Sequence, residues 1–220
     1  MTRETLMDRI GKVKADLTRL SHTLDAMEHI DLGTYPDNYE KLSVDAALRG
    51  EAVACKLRHL IYESTGVKKA EYLGAARAVQ GIRISEEKGV LNIFLPCLIP
   101  KRRQRKNTEY LTDPLYYALH QYAACRSLPK YRHCVVCFCH IYNREQPERR
   151  VRDYDNLELK QLLDVIAAFL MEDDTGLLCD AYNTTELGEA DCTCISVMAQ
   201  ERFYPWLKER ENRLKSISDF

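Results

Sequence analysis

Several features that would place this chain outside the ordinary globular class are missing from its 220 residues. No apolar run approaches the roughly 20 residues that a transmembrane helix requires. No apolar stretch follows a basic start at the N-terminus, as it would in a secretory leader. Internal repeats and low-complexity tracts are also absent. The sequence therefore predicts a soluble, folded protein without a membrane partner.

Excess charge of one sign is also missing, because the formal net charge is only -1. The balance hides an almost wholly basic stretch from Lys101 to Lys106 and an acidic one from Glu172 to Asp174. Recognition of a partner therefore depends on local charge. The nine cysteines would suit a disulfide framework only in a short secreted chain, so we expect reduced thiols in the cytoplasm.

What the N-terminal region does contain is a regular apolar pattern, with intervals that alternate between four and three residues. The residues are Leu6, Ile10, Val13, Leu17, Leu20, Leu24 and Met27. This pattern predicts a helix with a narrow apolar seam. Gly33 and Pro36 end it, and further helices are predicted from about Tyr39 to Tyr62 and from Lys68 to Val79. A helical hairpin is the simplest arrangement, although an intermolecular coiled coil also fits the seam.

The pattern changes from helical to strand-like near Ile82, which predicts a helical extension over residues 1–81 and a second domain over residues 82–220. The predicted elements are strands at 82–85 and 90–95, a helix at 114–125, a strand at 133–142, a helix at 156–170, strands at 177–182 and 192–198, and a polar helical tail. The predicted fold class is α+β, with a small mixed sheet in the order β-α-β-α-β-β.

Two aspartates flank Tyr154 just before the best-defined helix. In an extended segment Asp153 and Asp155 would point to the same side, with Cα atoms roughly 7 Å apart, and could share a hard cation. A structural alternative stays open, because Asp155 and Glu158 match a helix capping box and Asp153 could pair with a nearby arginine. The acidic residues after the helix favour a site, since clustered carboxylates repel one another unless a metal or a proton is shared.

The run RDYDNLELKQLLDVIAAFLMEDD, with one strand before it and two after it, resembles the RusA family of Holliday junction resolvases. That family's signature is an arginine-preceded D-x-D-N, a helix with a lysine, and a later D-D. The resemblance covers roughly residues 82–200 and implies a homodimeric, Mg²⁺-dependent endonuclease that resolves branched DNA during recombination and repair. It implies that Asp153, Asp155 and Asp174 are catalytic and bind the metal, with Asp173 in a supporting role.

The resemblance also implies a catalytic role for Lys160. This lysine follows Asp155 by five residues where the family has four, and on a continuous helix one extra residue turns a side chain by about 100°. An ordinary solvated lysine is the alternative. Eight basic residues are expected to contact DNA phosphates, namely Lys101, Arg102, Arg103, Arg105, Lys106, Arg149, Arg150 and Arg152.

The length of the predicted helix leads to a hypothesis about the dimer. An unbroken helix from Asn156 to Leu170 would separate the two acidic ends by about 21 Å, and the four residues up to Asp174 span at most about 14 Å. A two-fold axis would instead place Asp174 beside Asp155 of a partner chain. Two other functions stay open: a nucleic-acid binding protein of the same fold that cuts nothing, and an interaction module that works through its helical extension.

Cysteines and histidines in the strand HCVVCFCHIY suggest zinc as a further possibility. Strand alternation opposes this, because Cys137 and Cys139 point to one side and Cys134 to the other. Cys192 and Cys194 could join Cys137 and Cys139 if their strands were neighbours. Buried free cysteines are the simpler expectation.

Overall fold

The computed structural model describes residues 2–101 and 109–218. The chain divides into two compact units, Met1–Tyr72 and Leu73–Phe220, so the division comes earlier than the boundary predicted near residue 82. None of the helices in the described ranges is long and apolar enough to cross a membrane.

The first unit is built on two antiparallel helices, α1 (Arg3–Glu28) and α2 (Pro36–Ser64). Ion pairs join the start of α1 to the end of α2, and at the other end Thr23 donates to Asp45 over 3.2 Å. The ion pairs are Arg9–Glu63 and Asp16–Lys56. These contacts confirm the predicted helical hairpin.

Part of the predicted apolar seam does not face α2. Val13 is buried, whereas Leu17 and Leu24 remain 46% and 49% exposed. Asp16 and Thr23, which lie one position earlier, make the polar contacts to α2 instead. The hairpin interface is therefore partly polar, and spacing alone did not reveal this.

A third helix, α3 (Lys69–Gln80), begins in the first unit and ends in the second. Leu73 on this helix is fully buried. A Cβ added at Gly74 would lie only 2.4 Å from the side chain of Gln121, which belongs to the second unit. The close contact shows that the second half of α3 packs as part of the second unit.

The second unit carries a five-stranded sheet in the order β1-β2-β5-β3-β4. Its elements are β1 (Arg83–Glu87), β2 (Val90–Leu95), α4 (Glu109–Cys125), β3 (Cys134–Asn143), α5 (Leu159–Leu170), β4 (Cys179–Gly188), β5 (Cys192–Ala199) and α6 (Gln200–Ser218). Among these five strands, β3 and β4 pair in parallel and the other neighbours pair antiparallel. The predicted α+β class and mixed sheet are confirmed. The five strands correspond to the five predicted segments, and the two arms of the β1–β2 hairpin occupy the first position of the predicted order.

Helices cover both faces of the sheet. On one face α4 and α5 pack on the main core, whose fully buried members include Leu91, Ile93, Phe138, Ile166, Leu170 and Ile195. On the other face Trp206 of α6 packs with Val135, Cys137 and Met198. The predicted polar tail is therefore a packed helix, and its apolar residues complete a second, smaller core.

The position of the candidate site follows from the unit β3–α5–β4. Parallel strands need a crossover, and here the crossover is α5. The segment that carries Asp153 and Asp155 leaves the C-terminal end of β3 and leads into α5. This is the edge where α/β crossovers commonly place ligands.

Candidate active site

The acidic segment is a short 3₁₀ turn, Tyr154–Asn156, and not the extended strand that we predicted. Asp153 precedes it with an extended backbone (φ −65°, ψ 141°). The helix α5 begins at Leu159, later than the predicted start at Asn156. The reason is tertiary pairing: Leu157 forms a bridge with Lys101, and the Glu158 N–H donates to the Pro100 carbonyl over 2.9 Å.

This geometry removes the capping-box alternative. The N-cap of α5 is Glu158, and no side chain caps the helix there. Asp155 therefore lies outside the helix terminus. Within the described ranges, the carboxylates of Asp153 and Asp155 have no ion pair or hydrogen bond, and both residues are exposed. Local structure does not account for either aspartate, which leaves both available to a ligand.

Tyr154 contacts the sheet through both its hydroxyl and its ring. Its hydroxyl is 3.0 Å from the Thr185 hydroxyl, and its ring stacks on His140 with centroids 5.6 Å apart. Just before the turn, the Arg152 N–H donates to the Tyr142 hydroxyl over 3.2 Å. Sequence reasoning missed these contacts, although His140 and Tyr142 share one strand face by their period of two.

Lys160 lies in the first turn of α5 and contacts Asp164 one turn later, at 2.9 and 3.2 Å from its two carboxylate oxygens. The Asp164 carboxylate is the main cause of a raised Lys160 pKa, and the charges of Asp174 and Glu158 raise it further. Lys160 therefore stays protonated among three carboxylates. The predicted 100° rotation assumed a continuous helix from Asp155, and residues 154–158 are not α-helical.

The loop after α5 turns back along the helix. A cleft of about 400 Å³ is lined by Lys130, Asp164, Ala167, Ala168, Met171, Glu172, Asp173 and Asp174. Lys130 fixes the end of α5 by donating to the carbonyls of Ala168 and Met171 over 3.1 and 3.0 Å. Asp173 accepts from the Asp174 N–H over 2.8 Å, in keeping with a supporting role. Asp174 therefore lines the same cleft as Asp164 and Ala167, which lie in the middle of α5.

The shorter helix also corrects the distance argument. With 12 residues, α5 spans about 16.5 Å instead of the predicted 21 Å. In residues 2–101 and 109–218, no three histidine, cysteine, aspartate or glutamate side chains are grouped so that they could hold a metal ion. Asp153, Asp155 and Asp174 of one chain thus do not form a three-carboxylate centre. Mg²⁺ is commonly held by only one or two carboxylates plus waters and phosphate oxygens.

The predicted DNA-binding residues fall into three groups. Arg102, Arg103, Arg105 and Lys106 lie outside the described residues. Arg150 pairs with Asp191 at 2.5 Å, and Arg152 donates to the Ile99 carbonyl over 3.2 Å, so both arginines also hold the local structure. Lys101 and Arg149 are exposed beside the acidic turn.

The thiols have the arrangement that alternation predicted. Cys139 lies directly opposite Cys194 on the neighbouring β5, whereas Cys134 and His140 face the other side of the sheet. Burial raises the pKa of Cys139 to about 12 and that of Cys194 to about 11, so both remain neutral thiols. No zinc-type group occurs in the described part of the chain. Sequence reasoning did not anticipate a cavity of about 950 Å³ beside Cys139 and Arg210, which none of the predicted site residues lines.

These features define an α+β protein with a mixed sheet and an acidic turn at the carboxyl end of its parallel strands. The family model described as "Family of unknown function (DUF6100)" matches residues 2–220, and the chain belongs to this family. No curated protein shows significant similarity to the chain.

Proposed function

We propose that the protein is a Mg²⁺-dependent endonuclease that cuts branched DNA, in the manner of the RusA resolvases that its acidic motif resembles. The observation that carries the proposal is the direct connection between the acidic turn and the basic stretch. Lys101 bridges to Leu157, the Pro100 carbonyl accepts from the Glu158 N–H, and Arg152 donates to the Ile99 carbonyl.

The connection matters because phosphodiesters and carboxylates repel each other. Two exposed aspartates alone would disfavour DNA, whereas a basic segment that starts at the same turn attracts phosphates through counterion release. Lys101 and Arg149 supply exposed positive charge on either side of the turn. Metal-dependent cleavage of a phosphodiester needs carboxylates that can bind the ion and cations that can bind the phosphate. Asp153 and Asp155 would serve the first purpose, and Lys101 and Arg149 the second.

Asp153 and Asp155 would hold the ion, and Asp174 would contribute a third carboxylate. When bound, Mg²⁺ supplies an acidified water and stabilises negative charge on the phosphate and on the leaving oxygen. Lys160 keeps its proton and would stabilise developing negative charge next to Asp174. Asp164 orients the lysine through the two contacts at 2.9 and 3.2 Å.

A nucleic-acid binding protein without cleavage activity is the second candidate, and the absence of a three-carboxylate group in the described residues favours it. Synthetic four-way junctions and matched duplexes, incubated with Mg²⁺ or with EDTA, separate the two. A nuclease nicks the junction only with Mg²⁺. A binding protein retards the gel migration of junction and duplex in EDTA and cuts neither DNA with Mg²⁺. A protein that works only through its helical hairpin would show no DNA affinity at all.

The dimer is proposed together with the activity. Since one chain does not gather Asp153, Asp155 and Asp174, we propose that the partner's carboxylate completes each site. Asp155→Asn chains mixed with Asp174→Asn chains should regain nicking, to about a quarter of the wild-type level after full exchange across a two-fold axis. If exchange is verified with two affinity tags and nicking does not return, each chain builds its own site.

A further inference from the structure

We infer that Tyr154 is a positioning residue: its ring and hydroxyl fix the acidic turn on the sheet so that Asp153 and Asp155 both face outward. The benefit for metal binding rests on the proposed function, whereas the positioning itself can be tested on the protein alone. The inference comes from a tyrosine that contacts the sheet and lies between two exposed aspartates whose carboxylates have no partner in the described residues.

Two independent contacts hold Tyr154. The hydroxyl is 3.0 Å from Thr185 on β4, and the ring stacks at 30° on His140 of β3. His140 and Thr185 are directly paired in the parallel ladder, so both contacts come from one rigid place in the sheet. The Arg152 N–H, which donates to the Tyr142 hydroxyl of β3, adds a contact just before the turn.

His140 is an unusual residue for this position. It is 1% exposed, its Nε2 is 3.4 Å from the Asn183 Oδ1, and its Nδ1 has no partner in the described part of the chain. A buried polar atom without a partner costs free energy, which an aliphatic side chain here would avoid. The histidine instead presents a flat ring to Tyr154.

The turn itself has only weak internal restraints. Its backbone bonds are Asn156 N–H to the Asp153 carbonyl at 3.1 Å and Leu157 N–H to the Tyr154 carbonyl at 3.2 Å. Neither aspartate side chain caps the turn. Without the tyrosine, the two carboxylates would sample many relative positions, and a metal would have to order them at a cost in affinity.

The experiment measures backbone order without metal and then metal affinity. In the metal-free protein, we expect Tyr154→Ala to lower the ¹⁵N order parameters of Asp155 and Asn156 from about 0.85 to below about 0.6. Tyr154→Phe keeps the stacked ring and should lose less order. Tyr204→Ala removes an exposed tyrosine of α6 and should change nothing at the turn.

Mn²⁺, detected by electron paramagnetic resonance, then serves as the metal probe. Tyr154→Ala should bind it about tenfold more weakly than wild type, as is usual when a residue that orients a ligand is lost. His140→Phe should retain order and affinity, whereas His140→Ala should lose both. Unchanged order parameters in Tyr154→Ala overturn the inference, and so does unchanged Mn²⁺ affinity. If order falls but wild-type protein binds no Mn²⁺, the positioning stands and the proposed function fails.

Discussion

Replacement of Asp155 by alanine and by asparagine separates a functional carboxylate from a structural one. If Asp155 capped α5, Asp155→Ala would lower the free energy of unfolding by about 1 kcal/mol, whereas asparagine would still cap the helix. The structure places the helix N-cap at Glu158 and leaves Asp155 without a partner in the described residues. We therefore expect no loss of stability from either substitution.

The expected sign is a small gain. Two exposed carboxylates in water repel only weakly, by about 0.6 kcal/mol at an illustrative separation of roughly 7 Å, and the substitution removes the repulsion between Asp153 and Asp155. Exposed positions away from caps and cores otherwise change stability by less than about 0.5 kcal/mol. The free energy of unfolding should thus rise by about 0 to 0.6 kcal/mol, while Mg²⁺-dependent nicking is lost.

Urea unfolding followed by circular dichroism gives the stability, and a nicking assay on a labelled four-way junction gives the activity. Junction affinity in EDTA should be equal or tighter, because a negative charge near phosphates has gone. Asp25→Asn, at an exposed position of α1, is the charge-matched control and should leave nicking unchanged. A loss of about 1 kcal/mol in Asp155→Ala, with nicking intact in Asp155→Asn, would refute the reasoning and restore a structural role.

Three further predictions follow from the same structure. Neutralising the basic residues of segment 101–106 should flatten the salt dependence of junction binding by roughly 0.9 per lost contact, and an unchanged slope would place the segment off the DNA. A chain that begins at Leu73 should unfold cooperatively on heating. A chain that begins at residue 81 lacks this buried leucine and should be less stable by about 2–5 kcal/mol. Equal melting temperatures of the two chains would contradict the packing of α3. Burial lowers the His140 pKa, so the folded protein favours the neutral ring. The contribution of this neutral ring to stability is fully present above the unfolded pKa of about 6.5 and is lost as the pH falls below that value. His140→Phe should weaken this pH dependence, measured as urea midpoints at two pH values.

Local pattern was enough for most elements of the fold. Helix α5 has apolar residues at helical spacing, and Leu162, Ile166 and Leu170 are indeed buried against the sheet. The strand β3 is rich in β-favouring residues and is buried over nearly its whole length. These predictions succeeded because the burial of one face or of a whole strand dictates the residue types along it.

The errors have a common cause in contacts between segments far apart in the sequence. The start of α5 was placed too early, because Leu157 and Glu158 pair with Lys101 and Pro100, and no helical rule contains that information. The division of the chain was placed too late for the same reason, since Leu73 and Gly74 pack within the second unit.

For the site, the sequence supplied the residue types, and the structure supplied the reason to retain or discard each alternative. A capping box requires the helix to begin beside Asp155, and the pairing of residues 157 and 158 prevents this. The rotation predicted for Lys160 assumed a helix that continues from Asp155, and residues 154–158 are not α-helical. One tertiary contact, between the start of the basic stretch and the end of the acidic turn, thus bears on both questions. It also places the exposed Lys101 beside the acidic turn.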